Sequence, residues 1–259
     1  GKLHKYVNQT EFFIYQDHYE QKTTICSMAD IQKHIKCVYA GNPINGVFIW
    51  IHVGNKTVET ENDDAGVRTN FALNGFRSVT LFVPNKPEYT WTAILNMICA
   101  YVNQQRESVR YMTSNICVGG AGMGGFYAYM AACKERVNRC ALICPVLDPY
   151  AQYLYMTPEL YRQEQQLLYF ADTPILQEMS ASAAGIEAPH TLCIITGNAD
   201  IVAPSDVCFL GKQYTSLIGE SHALCKNPTQ HVYAILNEYA IPEDARPRTD
   251  NKKRKSCTI

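Results

Sequence analysis

The 259-residue chain lacks the features that mark several common classes of protein. It has no run approaching the roughly 18 apolar residues that a membrane-spanning helix needs. It also has no excess of either charge, because 23 Lys and Arg stand against 24 Asp and Glu, for a net charge of −1. This balance gives no general attraction to nucleic acid or to anionic membranes. We therefore expect a globular protein with no membrane span and no strong nucleic-acid signal.

The cysteines lack the pairing that disulfides or structural zinc would require. There are eleven, an odd number, and no two of them form a C-x-x-C pair. Cysteines scattered through apolar runs are typical of buried thiols in a reducing compartment, rather than of a disulfide framework or a zinc site. We expect an intracellular, cytoplasmic protein with no metal and no cofactor. The cysteines within apolar runs include Cys117, Cys140, Cys144 and Cys193.

Strand-like and helix-like segments alternate along most of the chain. This alternation predicts an α/β fold with a mostly parallel sheet covered by helices on both faces. Composition and length suit one main domain over residues 1–242. The predicted strands are Phe12–Tyr15, His34–Tyr39, Gly46–Val53, Ser78–Val83, Thr113–Val118, Arg139–Cys144, Thr191–Thr196 and Ser216–Ile218, and the predicted helices are Ala65–Phe76, Thr90–Glu107, Gly124–Glu135 and Thr229–Tyr239.

Residues 149–188 interrupt this alternation. The segment is rich in Tyr, Gln, Met and Ala, which predicts a helical insertion over the C-terminal edge of the sheet. Its tyrosines could line a ligand pocket, pack as a cap or form a protein interface, where tyrosine is common.

Residues 243–259 are polar and basic, and we expect them to be a disordered tail because they have too few apolar residues to offset the entropy of ordering. Four consecutive basic residues in this tail resemble a nuclear-import signal, which would make an import receptor a partner and the nucleus a second location. The alternative is a solvated chain end. The four residues are Lys252, Lys253, Arg254 and Lys255.

The most informative segment is Gly120-Ala121-Gly122-Met123-Gly124, between a predicted strand and a predicted helix. It resembles the nucleophile elbow of α/β-hydrolases, G-x-S-x-G, in which a serine on a strained turn attacks the substrate. Gly122 stands where that serine would be, so this position has no nucleophile. Glycine adopts such a backbone with little strain, whereas another residue there costs about 1–3 kcal/mol.

The order of later motifs resembles the same superfamily, over about residues 45–240. Asp200 and His222 each follow a predicted strand, in the order acid then histidine that the family shows after its nucleophile. The resemblance implies an α/β-hydrolase fold with a short helical cap. It also implies that Asp200 is the acid and His222 the base. The backbone N–H of Met123 would be one oxyanion donor, and a backbone N–H near Val53 and Gly54 would be the other.

Other interpretations of these residues stay open. His222 could be a hydrogen-bonded loop histidine, Asp200 could cap a helix, and Asp148 could be the acid instead. Residues 120–125 also match G-x-G-x-x-G, the dinucleotide fingerprint, with Asp148 as the acid for the ribose. Against that match, two buried strands precede the motif, which usually opens its domain.

The sequence thus predicts a non-catalytic α/β-hydrolase-fold protein, a pseudoenzyme that binds a small ligand or a protein partner. The first alternative is a serine hydrolase of the esterase, lipase or thioesterase kind, whose nucleophile at position 122 has been replaced in this chain. The second is chemistry by Asp200 and His222 without a covalent intermediate. The third is a dinucleotide-binding Rossmann protein.

Overall fold

The computed structural model of the chain describes residues 11–15, 23–27, 36–53, 58–83, 89–111, 114–137, 139–155, 173–187, 191–197 and 215–217. The strands are β1 (Glu11–Tyr15), β2 (Thr23–Ser27), β3 (Lys36–Ala40), β4 (Gly46–Val53), β5 (Phe76–Val83), β6 (Ile116–Gly122), β7 (Arg139–Pro145), β8 (Thr191–Gly197) and β9 (Thr215–Leu217). The helices are α1 (Val58–Leu73), α2 (Trp91–Val109), α3 (Met123–Lys134), α4 (Pro149–Tyr155) and α5 (Thr173–Ala184).

Seven strands form the main sheet, in the order β3-β5-β4-β6-β7-β8-β9. Strand β3 runs antiparallel to β5, and every other neighbouring pair is parallel. Strands β1 and β2 form a separate antiparallel hairpin. The central strand is β6, and Gly122 is its last residue. The predicted mostly parallel sheet is confirmed, and its topology places Gly122 in the middle of the C-terminal edge.

Helices cover both faces of the sheet. A Cβ atom on Gly119 would touch the rings of Phe48 and Trp50, each at 3.1 Å, and Phe48 stacks on Phe71 of α1 at a centroid distance of 3.7 Å. A Cβ on the next residue, Gly120, would instead meet α3. Because successive strand residues face opposite sides, α1 and α3 lie on opposite faces.

The helices begin and end where short-range signals act. Thr90 caps α2, since its hydroxyl accepts a hydrogen bond from Ala93 N at 3.1 Å. Gly75, with φ 79°, follows the end of α1 and allows the chain to turn into β5. The predicted helix Ala65–Phe76 differs from α1 at both ends. It begins too late, because the first turns of α1 have no apolar repeat, and it ends too late, because Phe76 is the first residue of β5.

The predicted strand Thr113–Val118 starts and ends earlier in the chain than the observed strand. Strand β6 begins at Ile116 and continues through the glycines to Gly122. Glycine has low strand propensity, which is why the sequence pattern ended the strand early. The predicted insertion at 149–188 contains α4 and α5, whereas the predicted helix Thr229–Tyr239 and the basic tail lie outside the described residues. None of the helices in the described segments is long and apolar enough to cross a membrane.

Helix α3 ends in a left-handed turn that a non-glycine residue occupies. Arg136 has φ 51°, and the flanking hydrogen bonds are those of a Schellman ending: Val137 N donates to Ala132 O at 2.8 Å and Arg136 N donates to Cys133 O at 3.2 Å. The Arg136 side chain is exposed, so its removal forfeits little packing.

We expect Arg136→Gly to raise the free energy of unfolding by about 0.5–1 kcal/mol, because the left-handed backbone is costly for an L-residue and the gain exceeds the added entropy of the unfolded chain. Urea unfolding measures the change. Lys134→Gly is the matched control: Lys134 is exposed but helical, so glycine there should destabilise by about 1 kcal/mol. A loss of stability in Arg136→Gly would contradict the strain argument.

Candidate active site at the end of strand β6

Gly122 joins β6 to α3 in the strained conformation of an elbow. Its backbone angles are φ 54° and ψ −126°, and it occupies the N-cap position of α3 without a side chain to cap it. The Gly122 carbonyl oxygen accepts a hydrogen bond at 3.0 Å from Val146 N, the residue directly after β7. These backbone angles are the ones expected of the predicted elbow, and Gly122 places no side chain there.

The other glycines of the motif are needed because chain segments touch at the elbow. A Cβ on Gly120 would collide with the Gly124 carbonyl, and a Cβ on Gly124 would collide with the carbonyl oxygen of Ile51 on β4. A Cβ on Gly125 would lie 2.8 Å from the Pro145 Cβ. Only glycine therefore fits at these three positions without a shift of backbone, which explains the flanking glycines of the motif.

The same close approach brings Gly124, the residue after Met123, near the end of β4, where the second oxyanion donor is predicted. Met123, the first residue of α3, is buried with 3% of its surface exposed, and Val53 ends β4. A Cβ on Gly124, the residue after Met123, would lie 3.7 Å from Val53 N. Gly54, the other position given for the second donor, lies outside the described residues. His52, next to Val53, packs its ring against Phe82 at a centroid distance of 5.1 Å.

The predicted acid and base, Asp200 and His222, also lie outside the described residues, as do Lys252, Lys253, Arg254 and Lys255. The strands that precede Asp200 and His222 are described: β8 ends at Gly197 and β9 at Leu217. Both strands are parallel to β6, so their C-terminal ends lie at the same edge of the sheet as Gly122. The convergence of Asp200 and His222 on Gly122 stays a prediction.

Asp148, the alternative acid, is engaged as a helix cap. Its Oδ1 accepts a hydrogen bond from Ala151 N at 2.9 Å in the first turn of α4, and a second from the Ser180 hydroxyl at 2.6 Å. The Ser180 oxygen in turn accepts from Tyr150 N at 2.9 Å. These contacts give Asp148 a structural role, joining the end of β7 to α4 and α5.

Cys144 is a second strained residue beside the elbow. It has φ 43°, is completely buried, and precedes Pro145, which is the register partner of Gly122. The turn at Cys144 leads directly to Val146, whose N–H bonds the Gly122 carbonyl. The sequence pattern missed this residue, since Cys144 lies in an apolar run that predicts only a buried strand.

The other thiols near the elbow helix are poorly suited to act as nucleophiles. Cys99, Cys117, Cys140 and Cys144 are buried thiols that form no disulfide, and Cys133 is a half-buried one. Burial, with a smaller contribution from the nearby Glu135, raises the pKa of the Cys99 thiol far above its usual range. Because the thiolate is the reactive form, Cys99 stays protonated and inert at neutral pH. Burial likewise raises the pKa of Tyr129, with the neighbouring Cys133 adding to the effect.

Helix α5 reaches the start of α2 through a contact that the sequence did not reveal. Trp91 Nε1 donates a hydrogen bond to Glu178 Oε1 at 3.2 Å, and the Trp91 ring packs edge-on against Phe126 of α3 at a centroid distance of 6.0 Å. Trp91 and Glu178 are 87 positions apart in the chain. No local pattern connects residues at such a separation.

Several solved structures with this architecture are esterases. The chain superposes on an esterase from Pyrobaculum calidifontis with a TM-score of 0.62, at 18% identity, over 80% of this chain and 79% of that one. Est1E from Butyrivibrio proteoclasticus gives a TM-score of 0.57 at 14% identity, over 89% of this chain and 98% of that one. Carboxyl esterase 2 from Tuber melanosporum gives 0.57 at 14% identity, over 90% and 86%. The chain has the α/β-hydrolase fold.

Sequence similarity to known proteins is confined to a short stretch. The chain is 42% identical over 55 residues to the hydrolyase poxO of Penicillium oxalicum, a match that covers 21% of this chain and 13% of that protein. No protein-family model matches the chain.

The hydrolase fold leaves the dinucleotide interpretation without support. A Rossmann fingerprint follows the first strand of its sheet, whereas here it follows β6, after β4 and β5. The acid of that interpretation, Asp148, is bonded to α4 and α5.

Proposed function

We propose that this chain is a non-catalytic member of the α/β-hydrolase fold, a pseudoenzyme that uses the region around the elbow to bind a ligand or a protein partner. The observation that carries the proposal is Gly122: the backbone angles are those of an elbow, yet the residue has no side chain to attack a substrate. Acyl transfer of the serine-hydrolase kind requires that side chain.

The surroundings of the elbow support retention of the site rather than its collapse. Gly120, Gly124 and Gly125 keep the close packing that holds the turn, and Val146 N still fixes the Gly122 carbonyl. We infer that the elbow region still serves recognition, because the close packing that holds the turn is retained.

Two tyrosines of the insertion are compatible with both a cap and the rim of a ligand site. Tyr150 and Tyr153 are half-buried and pack against the core. Side chains placed in this way present one edge to the core and another to the surface, which suits the rim of a binding site as well as a cap.

The serine-hydrolase alternative keeps one specific argument, which is that the structurally similar proteins are esterases. Under this alternative, the natural residue at position 122 is serine and the rest of the machinery is intact. Under the pseudoenzyme proposal, glycine is the natural residue. The two proposals differ in what the chain does when a serine is put at position 122.

The chain as it stands should not form a covalent adduct with a fluorophosphonate probe and should show no burst with activated esters. The physical reason is the missing nucleophile at position 122, together with the burial of the nearby thiols. Intact-protein mass spectrometry measures the adduct, with an active serine esterase as the positive control. Stoichiometric labelling would mean that another residue has become the nucleophile, and peptide mapping would identify it.

A further inference from the structure

Two asparagine–glycine pairs lie side by side at the edge of the sheet opposite the elbow. Asn45–Gly46 leads into β4, and Asn74–Gly75 joins α1 to β5. Asn45 N donates a hydrogen bond to Gly75 O at 2.7 Å, and Asn45 Nδ2 donates one to Asn74 O at 2.8 Å. The sequence has no other asparagine followed by glycine. Both asparagines are exposed, so their side chains are open to water.

The fold requires the glycine of each pair. A Cβ on Gly75, which has φ 79°, would lie 2.7 Å from Asn45 Nδ2. A Cβ on Gly46 would lie 2.6 Å from the backbone carbonyl oxygen of Asn115. Because a side chain at either position would collide with its neighbours, asparagine followed by glycine is a structural feature of this corner.

An asparagine before a glycine can lose its side-chain amide in a reaction with water. The backbone nitrogen of the glycine gives up its proton and attacks the side-chain carbonyl carbon, the amide nitrogen leaves as ammonia, and a cyclic succinimide forms. Water then opens the ring at either carbonyl, which gives aspartate or isoaspartate. Glycine favours the attack because it has no Cβ to shield its nitrogen. Water is the sole co-reactant.

The reacting groups of Asn74 are held at the end of helix α1. Gly75 N donates a hydrogen bond to Ala72 O at 3.1 Å, and Asn74 Nδ2 donates one to Asn70 O at 2.8 Å. The attacking nitrogen and the side chain under attack are therefore bonded to separate carbonyl groups of the helix. Ring closure at Asn74 must break both hydrogen bonds, which protects this residue.

Asn45 lies outside the helices, in the segment that leads into β4. Its side chain is bonded across to the Asn74 carbonyl oxygen rather than back along its own segment. Its backbone is part of the junction between strands, because Asn115 Nδ2 donates to Asn45 O at 2.8 Å and Val47 N donates to Asn115 O at 2.9 Å. A change at Asn45 thus acts on the starts of β4, β5 and β6 together.

We propose that Asn45 is a site of spontaneous deamidation in the folded chain, and that its conversion loosens the junction of β4, β5 and β6. Conversion removes the Nδ2 donor and places a carboxylate against the Asn74 carbonyl oxygen. Isoaspartate also lengthens the backbone by one methylene group before Gly46, which shifts Val47 away from Asn115. The inference does not depend on whether the elbow is catalytic.

The test follows deamidation at each asparagine by peptide mass spectrometry, in the purified chain incubated in mildly alkaline buffer and in the same chain unfolded in guanidinium chloride. Isoaspartyl methyltransferase labelling identifies the isoaspartate product. In the folded chain Asn45 should react at least about fivefold faster than Asn74, the factor for one hydrogen bond of ordinary strength. In the unfolded chain the two rates should converge, because each asparagine follows a branched apolar residue and precedes glycine.

Asn42 is the matched control within the same loop. It is exposed like Asn45, but Pro43 follows it, and a proline nitrogen has no proton to lose and cannot form the succinimide. Asn42 should therefore stay unchanged in both states. A rate at Asn45 in the folded chain no higher than that at Asn74 would overturn the proposal. Equal conversion of Asn42 and Asn45 would do the same, because it would indicate direct hydrolysis.

The structural consequence is tested with Asn45→Asp, which carries the carboxylate of the product. This variant should unfold at a lower urea concentration than the parent chain, and the Val47 amide should exchange its hydrogen about fivefold faster. Asn42→Asp places the same charge in the same loop, away from the Asn74 carbonyl, and should unfold near the parent's midpoint. Equal midpoints for the two variants would show that conversion of Asn45 does not loosen the junction.

Discussion

Gly122→Ser is expected to convert a chain that does not react with a fluorophosphonate probe into one that is labelled at residue 122. The substituted residue inherits φ 54° and ψ −126°, the conformation that presents a nucleophile at the top of the sheet. The neighbouring glycines and the hydrogen bond from Val146 N hold that backbone in place, so the turn does not depend on which residue is at position 122. Under the pseudoenzyme proposal we expect weak but site-specific labelling, whereas an otherwise intact serine hydrolase would be labelled stoichiometrically. In either case backbone strain should cost about 1–3 kcal/mol of stability.

Gly122→Ala is the matched control, because alanine adds the same Cβ and the same strain without a hydroxyl. Both variants should lose similar stability, and only the serine variant should be labelled. Adding His222→Ala to Gly122→Ser then asks whether the predicted base participates: a loss of labelling of 10²-fold or more is the size expected when a general base is removed. A folded Gly122→Ser chain that is never labelled would mean that the oxyanion donors or the base are gone, which counts against the serine-hydrolase alternative.

The fold class was predictable from the sequence because the signals that determine it are local. Gly46–Val53 is a continuous apolar run, and the structure has β4 over the same residues. Thr90 is a capping residue before an apolar repeat, and α2 begins immediately after it. A strand or helix with its own apolar pattern could be given its position in the α/β order from the sequence.

The elbow was predictable as a motif but not as a packing arrangement. The sequence pattern predicts that Gly122 stands at the nucleophile position, because the glycines on either side of it match G-x-S-x-G. It does not show that Gly124 faces the Ile51 carbonyl or that Gly125 faces Pro145, since those contacts depend on how α3 lies against β4 and β7. The strained Cys144 and the Trp91–Glu178 bond were missed for the same reason: each is set by tertiary packing.

Gly124→Ala is expected to lower the free energy of unfolding by about 2 kcal/mol or more, the range of core overpacking. The added Cβ would fall well inside contact distance of the Ile51 carbonyl oxygen and 3.2 Å from its carbon. Backbone atoms of a central strand cannot rotate away as a side chain would. Alanine's better helix propensity offers at most about 1 kcal/mol in return, so destabilisation wins. Urea unfolding followed by circular dichroism measures the change.

Gly185→Ala is the matched control for this prediction. A Cβ there would meet only the Ala181 carbonyl oxygen, at an ordinary 3.4 Å, so the substitution should change stability by no more than about 1 kcal/mol and in the stabilising direction. The contrast between two identical substitutions isolates the cost of the close approach from any general effect of replacing glycine. If Gly124→Ala were as stable as the parent chain, α3 could not lie as near to β4 as the elbow requires. The alignment of Met123 with Val53, on which the predicted oxyanion site depends, would then be wrong as well.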